Sequence, residues 1–259
     1  MAKSKQQVDY SYVPETLDGH PFYGFQLDPD QREFVNNIWD DKKKIIVCNA
    51  RAGAGKTQMA FAAANLLYKY GKFPSGIIYV VSPYGEAKQG FLPGDITEKS
   101  EVYFEPLYQA IIKCNEIPEQ IIYNESLIAQ NDKQRQAGYV KCITHTFTRG
   151  TNFEDAVVIL DESQNYSFDD LKKTLTRISD SCKVIVIGHN EQKDTDDDTN
   201  GFIEYYDYLK ELMLGGEERI AVCELTVNHR GWISSITDAL HLQKKQNNVS
   251  SETLKLIKG

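Results

Sequence analysis

The sequence lacks long apolar runs and a strongly basic balance, and both absences narrow the classes of protein that it can belong to. No stretch of the 259 residues approaches the roughly 20 consecutive apolar residues that cross a bilayer. Residues 1–10 are polar and contain no apolar signal core, so we expect a cytoplasmic protein without a membrane segment. The net charge of -8 argues against a broad nucleic-acid-binding face but allows a narrow basic channel.

Cysteine is also sparse, with five scattered residues and no CxxC pair. Buried free thiols are a better interpretation than a zinc site or disulfides, because three cysteines lie in or beside apolar runs. The sequence contains no internal repeat and no low-complexity linker. A chain of this length can form one sizeable core, with or without a small appendage.

Short apolar runs alternate with helix-like segments along most of the chain. The runs predicted as strands are residues 45–48, 77–82, 140–144, 157–161, 184–187 and 220–225. The helical segments predicted between them include residues 56–70, 105–115, 168–178 and 202–214. Several strands are apolar on both faces, as parallel strands covered by helices on each side are. The pattern predicts an α/β fold with a mostly parallel, doubly wound sheet. Residues 27–242 would form this domain, with an irregular segment 1–26 packed on it and a polar tail 243–259.

The first predicted strand runs into a glycine-containing turn and then a helix. Residues 49–57 of this turn read Asn-Ala-Arg-Ala-Gly-Ala-Gly-Lys-Thr. Such a phosphate loop points backbone N–H groups at phosphate oxygens, and the helix N-terminus adds a positive dipole end. Lys56 would reach the β- and γ-phosphates, and the Thr57 hydroxyl would bind Mg²⁺. A chance match is disfavoured because strand, spacing and helix agree. The predicted ATP-binding residues of the loop are Ala52, Gly53, Ala54, Gly55, Lys56, Thr57 and Gln58.

Two carboxylates, Asp161 and Glu162, follow the apolar run 157–160. They would lie at the carboxyl edge of the sheet beside the phosphate loop. Asp161 would hold Mg²⁺ through its water shell, and Glu162 would act as the catalytic base that polarises the attacking water. An apolar run followed by Asp-Glu is common by itself, but it is the expected partner of a phosphate loop. Past the next strand, Gln192 would sense the γ-phosphate, whereas His189 fits an ordinary loop histidine.

Further motifs make the chain similar to the PhoH-like ATPases, the phosphate-starvation-inducible proteins. The motifs are Gly-Phe-Leu-Pro-Gly-Asp at 90–95, Phe-Thr-Arg-Gly at 147–150, Val-Ile-Leu-Asp-Glu-Ser-Gln-Asn at 158–165 and Leu-Thr-Arg at 175–177. Their order and spacing relative to the phosphate loop match over most of residues 27–230. The family's usual loop has Gly and Pro where this chain has Ala50 and Arg51. Its usual Gly-Asp after the sensor strand is here Gly188-His189.

The resemblance implies a single RecA-like P-loop domain, related to one half of a superfamily 1 helicase. It also implies a homo-oligomer such as a ring, in which a neighbouring subunit completes the nucleotide site. Gln31 resembles the upstream glutamine that reads adenine in helicase-like ATPases, although a polar residue at a helix start explains it equally well. Arg230 resembles the family's late arginine and is our candidate arginine finger. Arg149 and Arg177 are the alternatives, and each of the three would also serve as a structural ion-pair partner.

Two functions from different classes remain open at this point. The first is a Mg²⁺-dependent ATPase that couples hydrolysis to RNA or single-stranded DNA remodelling, as the helicase-like motifs suggest. The second is a slowly hydrolysing switch, in which ATP drives an assembly that recruits a protein partner, as the acidic balance suggests. A metabolite kinase is less favoured, because the Asp-Glu pair suits water activation.

Overall fold

Six strands and six α-helices make up the part of the chain that the computed structural model describes, which is residues 9–82, 96–123, 138–148, 150–190 and 201–234. The strands are β1 (Ile45–Ala50), β2 (Ile77–Val81), β3 (Val140–Thr144), β4 (Val157–Leu160), β5 (Lys183–Gly188) and β6 (Ile220–Leu225). The helices are α1 (Pro29–Trp39), α2 (Lys56–Lys69), α3 (Ile96–Lys113), α4 (Pro118–Ile121), α5 (Phe168–Leu175) and α6 (Gly201–Leu214). None of the described helices is long and apolar enough to cross a membrane.

The strands form one sheet in the order β3-β2-β4-β5-β1-β6, and every pairing between neighbours is parallel. Strand β5 lies between β1 and β4, so the turn after β1 and the carboxylates after β4 end at the same edge with one strand between them. This edge is where ligands bind in open parallel sheets. The predicted parallel α/β fold is confirmed.

Helices cover both faces of the sheet because side chains alternate along each strand. In β1, Ile46 and Cys48 join the apolar cluster that contains α1, α2 and α3, whereas Val47 joins the cluster that contains α5 and α6. The central strands β4 and β5 are buried along their whole length. Each buried aliphatic side chain contributes roughly 1.5–3 kcal/mol relative to exposure. Because both faces of these strands are buried, apolar residues are favoured at consecutive positions. This explains the continuous apolar runs in the sequence.

Two predicted helix boundaries were wrong, by nine and by three residues. Helix α3 begins nine residues before its predicted start and contains Pro106. Helix α5 ends at Leu175 rather than at 178, because Ile178 pairs with Phe153 in an isolated bridge outside the sheet. The predicted tail 243–259 lies outside the described residues.

The bounds of helix α1 were not predicted, but a helix start was one of the two interpretations of Gln31, and the start signals are present in the sequence. Asp28 and Gln31 form a capping box, in which each side chain bonds the backbone of the other residue, and Pro29 occupies the first turn. At the other end, the buried Lys183 side chain donates to the carbonyls of Ile38 at 2.7 Å and Asp40 at 2.6 Å. Burial lowers the pKa of Lys183 to about 7. Lys183 thereby ties α1 to the amino end of β5.

The residues before α1 lie against this helix and α2. The indole Nε1 of Trp39 donates to the carbonyl of Pro14 at 2.9 Å, and the Leu17 and Phe22 side chains are buried in the core. The short 3-10 turn Phe22–Gly24 is the only helical structure among residues 9–28.

Candidate functional site

The turn between β1 and α2 has the backbone conformation of a phosphate-binding loop. Gly53 and Gly55 have φ angles of 77° and 78°, which only glycine adopts without strain. Gly55 is the N-cap of α2, and no side chain of the N-cap residue accepts a hydrogen bond from the first N–H groups of the helix. These N–H groups can therefore bind an anion. The N–H of Arg51 donates to the carbonyl of Leu225 at 3.0 Å, which fixes the loop to β6.

Asp161 is fully buried and receives three hydrogen bonds at the end of β4. Its Oδ2 accepts from the Thr57 hydroxyl at 2.6 Å and from the Tyr79 hydroxyl at 2.6 Å. Its Oδ1 accepts from the N–H of Glu162 at 2.7 Å. Burial raises the pKa of Asp161 and the charge of Glu162 adds to the rise, while Lys56 and the two hydroxyl donors oppose it. The structure thus brings together the two predicted metal ligands, Thr57 and Asp161.

Glu162 is held in a left-handed conformation, with φ 49° and ψ 43°. Such a conformation costs a residue with a Cβ about 1–3 kcal/mol, so the surrounding contacts must maintain it. Its Oε1 lies 3.0 Å from the Lys56 ammonium, and its Oε2 accepts from Gln164 Nε2 at 2.5 Å. Burial raises the pKa of Glu162, but the charge of Lys56 and the hydrogen bonds from Lys56 and Gln164 hold it below its ordinary value. Glu162 is therefore a carboxylate at neutral pH, as a general base must be.

Gln164 connects this carboxylate to the neighbouring strand. Its Nε2 donates to Glu162, and its Oε1 accepts from the N–H of His189, just past β5, at 3.0 Å. Next to it, the N–H of Asn190 donates to Oδ1 of Asn49 at 3.1 Å and links β5 to β1. Sequence reasoning missed the role of Gln164, although the residue lies in the motif at 158–165. The predicted sensor Gln192 lies outside the described residues.

Gln31 links the start of α1 to the phosphate loop. Its Nε2 donates to the carbonyl of Ala54 at 3.0 Å, and its Oε1 accepts from the N–H of Asp28 at 3.3 Å. The side chain is buried, and both ends of its amide are engaged. The geometry therefore gives Gln31 a part in holding the loop, and adenine recognition by Gln31 stays a prediction.

Arg230 lies against the phosphate loop of its own chain. The N–H of His229 donates to the carbonyl of Gly53 at 3.0 Å, and the Arg230 side chain covers Gly53. A Cβ added at Gly53 would lie 2.9 Å from Cγ of Arg230 and 2.6 Å from Oδ1 of Asn228. The alternative Arg177 is exposed in the connection from α5 to β5, with its carbonyl bonded to Phe153. Arg149 lies outside the described residues.

A model of the PhoH-like protein family matches residues 26–242. The chain belongs to the PhoH-like family. It is 35% identical over 158 residues to protein PhoH of Escherichia coli K12, covering 60% of this chain and 41% of that protein. It is 30% identical over 215 residues to a PhoH-like protein of Mycobacterium tuberculosis, covering 81% of this chain and 56% of that protein. The chain therefore spans about half the length of these PhoH-like relatives.

Two solved structures align with most of this chain at low sequence identity. The chain aligns with the large terminase of bacteriophage HK97 at a TM-score of 0.46 and 13% identity, covering 81% of this chain and 41% of that chain. It aligns with the DEAD-box helicase Mss116, bound to ssRNA and UDP-BeF, at a TM-score of 0.40 and 14% identity, covering 87% of this chain and 48% of that chain.

The alanine that replaces the first glycine of the usual PhoH-like loop fits its position. Ala50 is the last residue of β1, pairs with Leu225 of β6 and does not have a positive φ. Because its conformation is an ordinary extended one, a methyl group there causes no backbone strain. His189, which replaces the family's acidic residue, is buried, and its N–H is bonded to Gln164.

The side chains present fit a magnesium ion that is shared with a nucleotide. Thr57 and Asp161 offer hard oxygen atoms side by side, with the Thr57 hydroxyl bonded to Oδ2 of Asp161, and Mg²⁺ in proteins is usually held by one or two carboxylates together with substrate phosphates. Among the described residues, no group of three or more His, Cys, Asp or Glu side chains is placed to hold a metal ion without such help.

Proposed function

We propose that this PhoH-like chain is a cytoplasmic, Mg²⁺-dependent ATPase that works as a homo-oligomer, such as a ring, and couples hydrolysis to RNA or single-stranded DNA remodelling. The observation that carries the catalytic part is the contact between Lys56 and Glu162 at 3.0 Å, beside the bonded pair of Thr57 and Asp161. The residues that we propose to bind phosphate, to hold Mg²⁺ and to accept a proton are thus in contact at one sheet edge.

The phosphate loop would bind the nucleotide through its backbone. The N–H groups of residues 52–58 and the Lys56 ammonium would hold the phosphates, and Thr57 and Asp161 would hold Mg²⁺. When bound, the ion neutralises charge that develops on the transferred phosphoryl group. Glu162 would accept a proton from the attacking water. As Lys56 turns towards the phosphates, Oε1 of Glu162 loses its partner and becomes available to that water.

Charge stabilisation from an arginine completes the proposal. Arg230 of the same chain already lies over Gly53, so a small movement of its side chain would bring the guanidinium to the phosphates. Action across a subunit interface stays the second possibility for Arg230. Nucleic-acid coupling is supported by the helicase-like motif set, and the switch function is supported by the net charge of -8.

The test is steady-state ATP hydrolysis by the wild type and by Glu162→Gln, with and without single-stranded RNA and DNA. Glu154→Gln makes the same change at an exposed carboxylate before β4 and is the matched control. We expect Glu162→Gln to lower turnover by about 10²- to 10⁴-fold, with nucleotide binding retained. Glu154→Gln should behave as the wild type.

The same samples, sized with and without ATP, separate the two functions. Turnover that rises with nucleic acid and is lost in Glu162→Gln supports the remodelling ATPase. A flat response to every nucleic acid, combined with assembly driven by ATP alone, supports the switch. Absence of Mg²⁺-dependent turnover in the wild type would overturn the ATPase proposal.

A further inference from the structure

Tyr79 is the described hydrogen-bond partner of Asp161 that no sequence motif indicated. It lies in the middle of β2, pairs with Ile159 of β4 and is fully buried on the sheet face that α2 and α3 cover. Its ring contacts that of Phe104 in α3 edge-on, at a centroid distance of 6.4 Å. Its hydroxyl donates to Oδ2 of Asp161 at 2.6 Å.

The surroundings of Tyr79 do not require a hydroxyl for packing. The side chains on this face of β2 and β4 are apolar, among them Ile77, Val81 and Ile159, so phenylalanine would fill the same space. A buried hydroxyl without a partner is unfavourable, and here the partner is a charged carboxylate. The Tyr79 hydroxyl is therefore needed for the hydrogen bond to Asp161, whereas the packing of the core does not need it.

We propose that Tyr79 is a positioning residue that fixes the orientation of the Asp161 carboxylate for a divalent cation. A carboxylate oxygen has two lone pairs, and Oδ2 uses both, on the Thr57 and Tyr79 hydroxyls. Oδ1 accepts one hydrogen bond, from the N–H of Glu162. Among the described contacts, the remaining capacity of Asp161 is thus on Oδ1. Without the Tyr79 hydroxyl, Oδ2 would keep only the hydrogen bond from Thr57, so each carboxylate oxygen would have a free lone pair and either could hold the cation.

This inference rests on the proposed Mg²⁺-nucleotide site, and its test separates the two. The affinity of a fluorescent ATP analogue is measured in EDTA and then over a range of MgCl₂ concentrations, for the wild type and Tyr79→Phe. We expect the affinity in EDTA to be unchanged and the MgCl₂ midpoint to rise about tenfold, as loss of one charge-assisted hydrogen bond predicts. Tyr166→Phe is the matched control, because Tyr166 is equally buried and its hydroxyl has no hydrogen-bond partner among the described residues.

A double-mutant cycle guards against a purely structural effect. In an Asp161→Asn background, Tyr79→Phe should leave the MgCl₂ midpoint where Asp161→Asn alone puts it. An unchanged midpoint in Tyr79→Phe, or an equal loss of affinity with and without MgCl₂, would overturn the role of Tyr79. A wild type whose analogue affinity does not respond to MgCl₂ would instead overturn the proposed metal site.

Discussion

The ammonium of Lys56 lies 3.0 Å from Oε1 of Glu162, so the first residue of α2 is paired with the residue that follows Asp161 at the end of β4. The pair spans β5, which lies between the strands that lead to the two residues. Glu162 reaches Lys56 from a left-handed backbone conformation, and Gln164 holds its other oxygen. A nucleotide that binds Lys56 through its phosphates must compete with this contact.

Replacement of Lys56 by Met should abolish nucleotide binding. The variant loses the cation that would meet the phosphates, and we expect the affinity for an ATP analogue to fall at least about 100-fold. Lys172→Met removes a charge from an exposed position of α5 and should leave the affinity unchanged. Equilibrium titration with a fluorescent analogue compares the two. Equal affinities would mean that Lys56 does not bind phosphate.

Gly53→Ala should impair the phosphate loop more than backbone strain alone explains. An added Cβ meets Asn228 and Arg230 at under 3 Å, and φ is 77°. Gly71→Ala is the control for backbone strain alone, because Gly71 has a similar φ of 71° and open space around it. This strain costs about 1 kcal/mol. We therefore expect Gly71→Ala to lower stability slightly and to leave nucleotide affinity unchanged. Gly53→Ala should weaken nucleotide binding at least about tenfold beyond that. Thermal unfolding and analogue titration measure both, and identical behaviour would contradict the role given to the contact with Arg230.

Gln31→Ala distinguishes loop support from base recognition. Both ends of the Gln31 amide are engaged, with Ala54 and Asp28, so we expect ATP and GTP affinities to fall by the same factor. Asp28→Ala removes the other half of the capping box and should destabilise α1 by about 0.5–2 kcal/mol. Competition titrations with ATP and GTP measure the two affinities and show whether they fall by the same factor. A selective loss of ATP affinity in Gln31→Ala would assign the amide to adenine.

Lys183 should make stability depend on pH above neutrality. Its pKa is about 7 in the folded chain, because burial outweighs the nearby Asp40 and Asp41, and it returns to its ordinary value near 10.5 on unfolding. Between these values the unfolded state binds more protons, so the free energy of unfolding rises with pH, by at most about 1.4 kcal/mol per pH unit. Below pH 7 both states are protonated and this contribution is constant.

Lys183→Met should reduce the increase in the free energy of unfolding with pH above pH 7. It also leaves the carbonyls of Ile38 and Asp40 without their donor, which costs about 1–3 kcal/mol at any pH. Urea unfolding of both proteins between pH 7 and 10 gives the slopes. A slope that is the same in the two proteins would show that another group titrates.

Much of the fold was readable because its signals are local. A continuous apolar run is typical of a strand buried on both faces, as β4 and β5 are, and all six predicted strands are present. The phosphate loop was readable because strand, glycines and helix follow one another directly. A helix start was one of two interpretations of Gln31, but the bounds of α1 were not predicted, because the capping box of Asp28 and Gln31 was not recognised.

The sequence by itself predicted the six strands and the parallel α/β class, and it singled out Lys56, Thr57, Asp161 and Glu162, which the structure places at one edge of the sheet. Only the tertiary structure decided the contacts that orient them. Tyr79 reaches Asp161 across 82 positions of the chain, and Gln164 reaches the N–H of His189 across 25. Such contacts depend on strand order and register, which pairing between distant segments sets and which no local pattern of residue types specifies.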